Sequence, residues 1–344
     1  MIDLFSDTQT RPTPAMRRAI AEAEVGDEQL GEDPAVNALQ DRVATLLGHE
    51  AGLFLPSGTM CNQIAIKVHT QPGDCILADR NSHVMRAEGG GPAFHSGVLI
   101  DPIPSPRGIF TPGDVLERIP VSPGPHVPPV TLLCVEQTHN YGGGSVWPLG
   151  QLRDVCDAAR SRSLATHLDG ARLLNASVAS GVRAADFARC CDSAWIDLSK
   201  GLGCPVGAVL VGSSDFIRRA RRYKHLFGGA MRQAGIVAAA GIHALDHHVD
   251  RLADDHAHAR RLADGLAAIT GVTILNPDVP TNLVFIDLRG TGVAADGFVA
   301  AMKQRGVRMG LVGGMLRAVT HLDVSRDDID RAVAIASEVI AELR

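Results

Sequence analysis

The sequence predicts an α/β fold: a large domain built on a mainly parallel sheet, followed by a smaller α+β domain at the C-terminus. Two observations carry this. Short apolar runs of strand length, among them "TLLCVE" (131–136), "LATHLD" (164–169) and "DSAWIDLS" (192–199), alternate with amphipathic helical stretches such as "LGQLRDVCDAARSR" (149–162). Runs that are apolar on both faces and separated by helices imply parallel strands covered on both sides. From about residue 232 the texture then changes to a proline-free helical stretch, "RQAGIVAAAGIHALDHHVDRLADDHAHARRLADGLAAI".

The elements follow in order. Asp33-Pro34 reads as a helix start, with Asp as N-cap and Pro in the first turn. Val36, Leu39, Val43, Leu46 and Leu47 recur at helical spacing, and Gly48 closes the helix. "AGLFL", "PSGTM" and "CNQIAIKV" then read as strand, tight turn and helix. "GAVLVG" (207–212) is a further strand. After the long helical stretch come "TNLVFIDL" as a strand, a helix, "LRAVTHLD" as a strand, and a terminal helix over 326–343. The expected division is an N-terminal segment 1–15, a large domain 16–250 and a small domain 251–344.

Composition narrows the function. The 344 residues are 45% hydrophobic and carry a net charge of -5, which gives no electrostatic case for nucleic acid or an anionic membrane. No run approaches the ~20 apolar residues needed to span a bilayer. "MIDLFSDTQTRPTP" lacks the basic and apolar regions of a secretory signal, so a cytoplasmic protein is expected. The 7 cysteines are scattered, with no Cys-x-x-Cys pair, and read as small core residues. His247-His248 and His256/His258 fall on a charged helix with no matching carboxylates; they read as a solvated face, and no metal site is expected.

Four polar residues stand where candidate strands end: Ser57, Glu136, Asp169 and Lys200. In an open parallel sheet those ends form the ligand crevice. "SGT" (57–59) opens a helix whose free N–H groups, with Ser57, Gly58 and Thr59, offer a phosphate cradle. By itself it reads first as a simple N-cap turn. Neither G-x-G-x-x-G nor G-x-x-x-x-G-K is present, so dinucleotide and nucleoside triphosphate readings lack support. Asp169 either pairs with nearby Arg172 or faces a protonated ring nitrogen. Lys200 ends an apolar run in "WIDLSKGLGCPVGAVLVG", where an amine delivered into a cleft can act as a nucleophile. An aldehyde carrying a pyridine and a phosphate would use all three features. That describes pyridoxal phosphate (PLP), with Lys200 as the Schiff-base lysine.

The sequence also resembles the low-specificity L-threonine aldolases, of the β-eliminating lyase group of fold-type I, aspartate aminotransferase-like PLP enzymes. The resemblance rests on "SDTQTRPTPAMRRA", "VGDEQLGEDP", "LFLPSGTMCNQ", "EQTHN", "HLDGARLLNA", "LSKGLGCPVGAVLVG", "GGAMRQAGI" and "LRAVTHLDVSRDDI". It implies retro-aldol cleavage of L-threonine, L-allo-threonine and related β-hydroxy-α-amino acids to glycine and an aldehyde. The alternative is a PLP-dependent β-eliminating lyase, or an aldolase specialised for a substrate of the phenylserine or 3-hydroxyaspartate type. Lys200 would carry the cofactor, with Asp169 on its ring nitrogen and His83, in "NSHVMRAE", stacked on its ring. Ser57, Gly58, Thr59 and Arg232 match the phosphate site. Ser6, Arg172 and Arg317 match residues around the substrate carboxylate, with Arg172 also near the ring oxygen. His126, in "PHVPPVTL", matches a histidine that approaches from a neighbouring subunit. His83, His126, a water or a cofactor oxygen are the candidates for the base that takes the β-hydroxyl proton. The resemblance further implies a homotetramer with active sites at a dimer interface, acting on a small amino acid. Phe5, Leu30, Arg86, Ala87, Tyr141 and His225 depart from the family pattern, and most are expected to line or border the pocket for the β-substituent.

Overall fold

Six strands of the main sheet run in one direction and a seventh against them. The computed structural model describes residues 1–121 and 124–344. Across the sheet the order is Ala51–Leu55, Ala208–Gly212, Ser193–Asp197, Ala165–Asp169, Val130–Glu136, Cys75–Asp79, Leu99–Ile103. Ala208–Gly212 is antiparallel to both of its neighbours and the remaining pairings are parallel. The carboxyl ends of Ala51–Leu55, Val130–Glu136, Ala165–Asp169 and Ser193–Asp197 therefore open on one edge. The parallel sheet expected from the apolar runs is present.

Local signals set the helix ends. Asp33 caps Pro34–Leu47 by accepting from Val36 N, and Gly48 ends it in the left-handed region at φ +69°. Ser325 and Asp328 form a reciprocal capping box that starts Arg326–Leu343. Cys75–Asp79 and Leu99–Ile103 were not foreseen from the sequence. The second carries Asp101 and Pro102, and proline is tolerated there because the strand is an edge.

The long helical stretch is two helices, Gly235–His247 and Leu252–Ala267. Here one expectation is corrected. His248 and His256 do not lie on a solvated face but are buried, at 5% and 2% exposure. His248 Nδ1 lies 2.7 Å from the Leu202 carbonyl, and His256 Nε2 lies 3.2 Å from Asn175 Nδ2. His248 thus pins its helix end onto the loop that carries Lys200, and His256 pins the next helix onto Leu173–Ser180, the helix that Arg172 begins. All seven cysteines are buried thiols.

Beyond the helices, Leu283–Asp287 pairs antiparallel with Thr273–Ile274 and Met315–Val319, and Gly310–Val312 adds at the edge. The chain start joins this region. Ile2–Asp3 pairs in parallel with Val307–Arg308, and Ile2 and Leu4 share an apolar cluster with Leu262, Phe298, Leu316 and Ile340. That pairing delivers residues 5–10 to the sheet's open edge.

Candidate active site

A cavity of about 300 Å³ opens at the carboxyl edge, and Ser57, Glu136, Asp169 and Lys200 all line it. Ser6, Gly58, Thr59, His83, Arg172 and Arg317 line it too. Strand direction alone explains the convergence of the first four.

Ser57 caps the helix Gly58–His69, its Oγ accepting from Met60 N at 3.3 Å. Gly58 is required there for a reason the sequence could not give. A Cβ at this position would meet the Trp195 ring at 2.1 Å, so glycine lets the helix start settle on the indole.

Asp169 is 3% exposed and takes its hydrogen bonds from neutral donors, Asn62 Nδ2 at 2.8 Å and Ala171 N at 3.1 Å. Burial raises its pKa and Glu136 adds to this, against the attraction of His83 and Lys200 and the Asn62 hydrogen bond. Arg172 is not its partner: Nε and Nη2 of Arg172 both donate to Asp7 at 2.7 Å. The alternative in which Asp169 exists to hold Arg172 is thereby removed.

Glu136 fixes two loops at once, accepting from His83 N at 2.7 Å and Asn140 N at 2.8 Å. His83 Nδ1 lies 2.8 Å from Glu88 Oε1, so Nδ1 carries the proton and Nε2 is left for other chemistry. Burial disfavours its charged form, but the Glu88 hydrogen bond and the carboxylates of Asp169, Glu88 and Glu136 prevail and raise its pKa. His83, Glu88 and Asp169 offer ligand atoms within 4.8 Å of one another. The Asn62 amide nitrogen bonds both carboxylates, at 2.6 Å to Glu88 and 2.8 Å to Asp169, and takes the place a cation would need.

Lys200 follows the strand Ser193–Asp197, with Nζ 3.1 Å from Asp197 Oδ2. Its carbonyl accepts from Thr10 Oγ1 at 2.9 Å, which ties the lysine loop to the N-terminal segment. Arg317 is 7% exposed; Nη1 donates to Asn140 Oδ1 at 2.9 Å and Nη2 to the Phe5 carbonyl at 3.2 Å. Its buried Nε has no partner among the described residues. Burial, with Arg172 nearby, lowers its pKa to about 10. A guanidinium with a spare donor and no carboxylate of its own is suited to an anionic ligand.

Two expected residues are not brought into this cavity. Arg232 is bonded to Asp27 at 2.8 Å with its side chain 62% exposed, and His126 lies in an exposed turn. Of the departures, Leu30, Arg86, Ala87 and His225 are exposed and outside the cavity lining. The Phe5 ring lies under the Arg308 guanidinium, 4.2 Å away, and Tyr141 lies beside Gly313. Sequence reasoning missed Asp7, Asn62, Glu88 and Asp197. Only Asp197, three residues before the lysine, had a local signal.

The donor set fits PLP. A carboxylate held on neutral donors, with its pKa raised by burial, would be returned to its ionised form by a cationic ring nitrogen. Across the same cavity lie a primary amine and a helix N-terminus for a phosphate.

Comparison with known proteins agrees. The family model described as beta-eliminating lyase matches residues 3–289. The chain is 42% identical to the low specificity L-threonine aldolase of Escherichia coli (strain K12), covering 97% of this chain and 98% of that one. The solved structure of a Leishmania major threonine aldolase superposes with a TM-score of 0.84 at 21% identity, covering 99% and 100% of the two chains. A Sphingomonas wittichii serine palmitoyltransferase gives 0.78 at 17% identity, covering 100% and 88%.

Proposed function

This chain belongs to the beta-eliminating lyase family, and on that premise we propose that it is a PLP-dependent carbon–carbon lyase. It cleaves L-threonine, L-allo-threonine and related β-hydroxy-α-amino acids to glycine and an aldehyde. One observation carries the reading: Lys200, Asp169 and the Ser57–Thr59 helix start line a single cavity with Arg317.

When bound, PLP supplies a cationic ring into which the electrons of the breaking Cα–Cβ bond can drain. The rest falls to the chain. Lys200 Nζ holds the cofactor covalently, and Asp169 keeps the proton on the ring nitrogen. Ser57, Gly58 and Thr59 hold the phosphate through a hydroxyl and the N–H groups of the helix start. Arg317, with Ser6 and Arg172, binds and orients the substrate carboxylate. His83, its Nδ1 committed to Glu88, has Nε2 available to take the β-hydroxyl proton. His126 lies outside this chain's cavity, and we place it at the site of a neighbouring subunit in a homotetramer; Arg232, paired with Asp27, is not assigned to the phosphate of this cavity.

No helix among the described residues is long and apolar enough to cross a membrane. We take the compartment to be the cytoplasm, and the large and small domains to divide near residue 250. β-Elimination is the weaker reading, since the 42% identical relative carries the aldolase name.

The test is to load the protein with PLP and supply both threonine diastereomers, quantifying glycine, acetaldehyde and ammonia. Equal glycine and acetaldehyde, abolished in Lys200→Ala along with the visible cofactor band, is the expected result. Ammonia without glycine would overturn the aldolase reading.

A further inference from the structure

Behind Asp169, away from the cavity, lies a buried line of polar groups that the proposed reaction does not use. It arises from simple periodicities. His167 and Asp169 are two apart on one strand and share a face, as do Ser193 and Trp195 on the next. Asn62 and His69 are seven apart on the helix Gly58–His69, two turns along one side.

The contacts run without a gap. His69 Nε2 lies 2.8 Å from Ser193 Oγ, which lies 2.8 Å from His167 Nδ1. His167 Nε2 lies 3.1 Å from Asn62 Oδ1, and Asn62 Nδ2 donates to Asp169 Oδ2 at 2.8 Å. His167 and Ser193 are wholly buried.

The direction of every bond can be assigned from the donor inventory. Trp195 Nε1 can only donate, and it bonds Asn62 Oδ1 at 2.7 Å, so the amide oxygen faces Trp195 and His167. His167 Nε2 must then carry its proton. Its Nδ1 accepts, so the Ser193 hydroxyl donates to it and itself accepts from His69 Nε2. Burial pushes the pKa of His167 down to about 3 and that of His69 to about 4, so both rings are neutral, as this assignment needs. All four hydrogen-bonding positions of the Asn62 amide are filled, its two N–H groups by Glu88 and Asp169. An amide in the line cannot pass a proton along, so the line fixes orientation and does not conduct.

We propose that Asn62 is a positioning residue for the reaction assigned above. Its amide, locked in one orientation by the donor line His69–Ser193–His167 and by Trp195, holds Asp169 and, through Glu88, His83 in place toward a bound cofactor ring. The inference rests on the PLP reading. The charged and titratable groups facing Asp169 are Glu136, Glu88, His83, His139, Lys200, Cys61 and Cys134, and those facing His69 are Asp192, Arg219 and His167.

The experiment compares Asn62→Asp, Ser193→Ala, His167→Leu and His167→Gln with the parent. The readouts are the PLP dissociation constant and the pH midpoint of the visible band in the loaded protein. Asn62→Asp places a third carboxylate between two others and is expected to weaken PLP binding about tenfold or more. His167→Leu and Ser193→Ala are expected to weaken it roughly threefold or more and to shift the midpoint. His167→Gln, which keeps a donor near the Nε2 position, is expected to stay within about twofold. If the parent takes up no PLP, the functional reading itself fails. If the parent loads and the folded Ser193→Ala or His167→Leu protein matches it in both readouts, the positioning role is overturned. Equal loss in His167→Leu and His167→Gln also overturns it, because the donor would then be irrelevant.

Discussion

Asp7 accepts both Nε–H and Nη2–H of Arg172 at 2.7 Å, joining the chain's first residues to the loop that follows Asp169. Asp7 is fully buried, and Asn282 Nδ2 adds a third hydrogen bond at 3.1 Å. The pair therefore binds the N-terminal segment, the main sheet and the C-terminal sheet at one point beside the cavity.

Breaking this pair leaves a buried guanidinium uncompensated. Asp7→Asn is expected to cost about 3 kcal/mol, in the range for a buried pair that loses one partner. Burial would raise the Asp7 pKa, but the Arg172 charge and hydrogen bonds outweigh it and hold the carboxyl far below its ordinary value. A depressed carboxylate contributes its full stability above an unfolded value of about 4 and loses it as pH falls toward the folded value. Chemical denaturation of parent and variant should therefore show a gap at pH 7 that narrows below about pH 4. A gap independent of pH would mean that the ionised Asp7 is not its source.

Much of the site was legible because strand ends are local events. "TLLCVE", "LATHLD" and the run before Lys200 each end in a polar residue, and parallel topology brings those ends together. What escaped depends on long-range contacts. Asn62 reaches Asp169 across 107 positions and Asp7 reaches Arg172 across 165, with no periodicity to announce either. His248 and His256 were misplaced for the same reason, since helix pattern gives the side of a residue but not what packs against it. His83 came only through resemblance, because Glu88 and Glu136 fix it and neither contact has a sequence signature.

Asp169→Asn should retain PLP and lose turnover by about 10²-fold or more, the scale of a mispositioned proton in general acid–base chemistry. In the parent, both carboxylate oxygens accept, one from Asn62 Nδ2 and one from Ala171 N. An asparagine has one oxygen for those two donors, and its NH₂ cannot hold a proton on a ring nitrogen. Steady-state kinetics on the loaded variant decides it. Turnover within threefold of the parent would reduce Asp169 to a structural role.

Arg317→Lys should raise KM for the amino acid by roughly 10- to 100-fold, the cost of replacing a planar fork by a single ammonium. Arg317 keeps its fork aligned through Asn140 and the Phe5 carbonyl, contacts a lysine cannot make together. PLP affinity should stay within about twofold, because the groups assigned to the cofactor are elsewhere in the cavity. Parallel titrations with PLP and threonine separate the two effects. Loss of PLP with KM unchanged would move Arg317 from the substrate to the cofactor.

Arg86, one of the departures expected to border the pocket, bears on whether the site takes an anionic β-substituent of the 3-hydroxyaspartate type. It ends the short helix His83–Arg86, exposed, with Nη2 3.4 Å from Asn81 Oδ1. Val84 on the same turn is buried, and His83 faces the cavity. Three residues on, the arginine could have followed His83 inward; instead it is exposed and outside the lining, which includes His83, Glu136 and Asn140. A charge in solvent outside the cavity is screened and cannot discriminate a methyl from a carboxylate strongly. Arg86→Ala should therefore leave the ratio of kcat/KM for threonine and 3-hydroxyaspartate within about twofold, the scale of an ordinary surface substitution. A fall of tenfold or more in relative activity toward 3-hydroxyaspartate would place Arg86 at the substrate after all. That arrangement would require a neighbouring subunit to turn its exposed face into the wall of an active site.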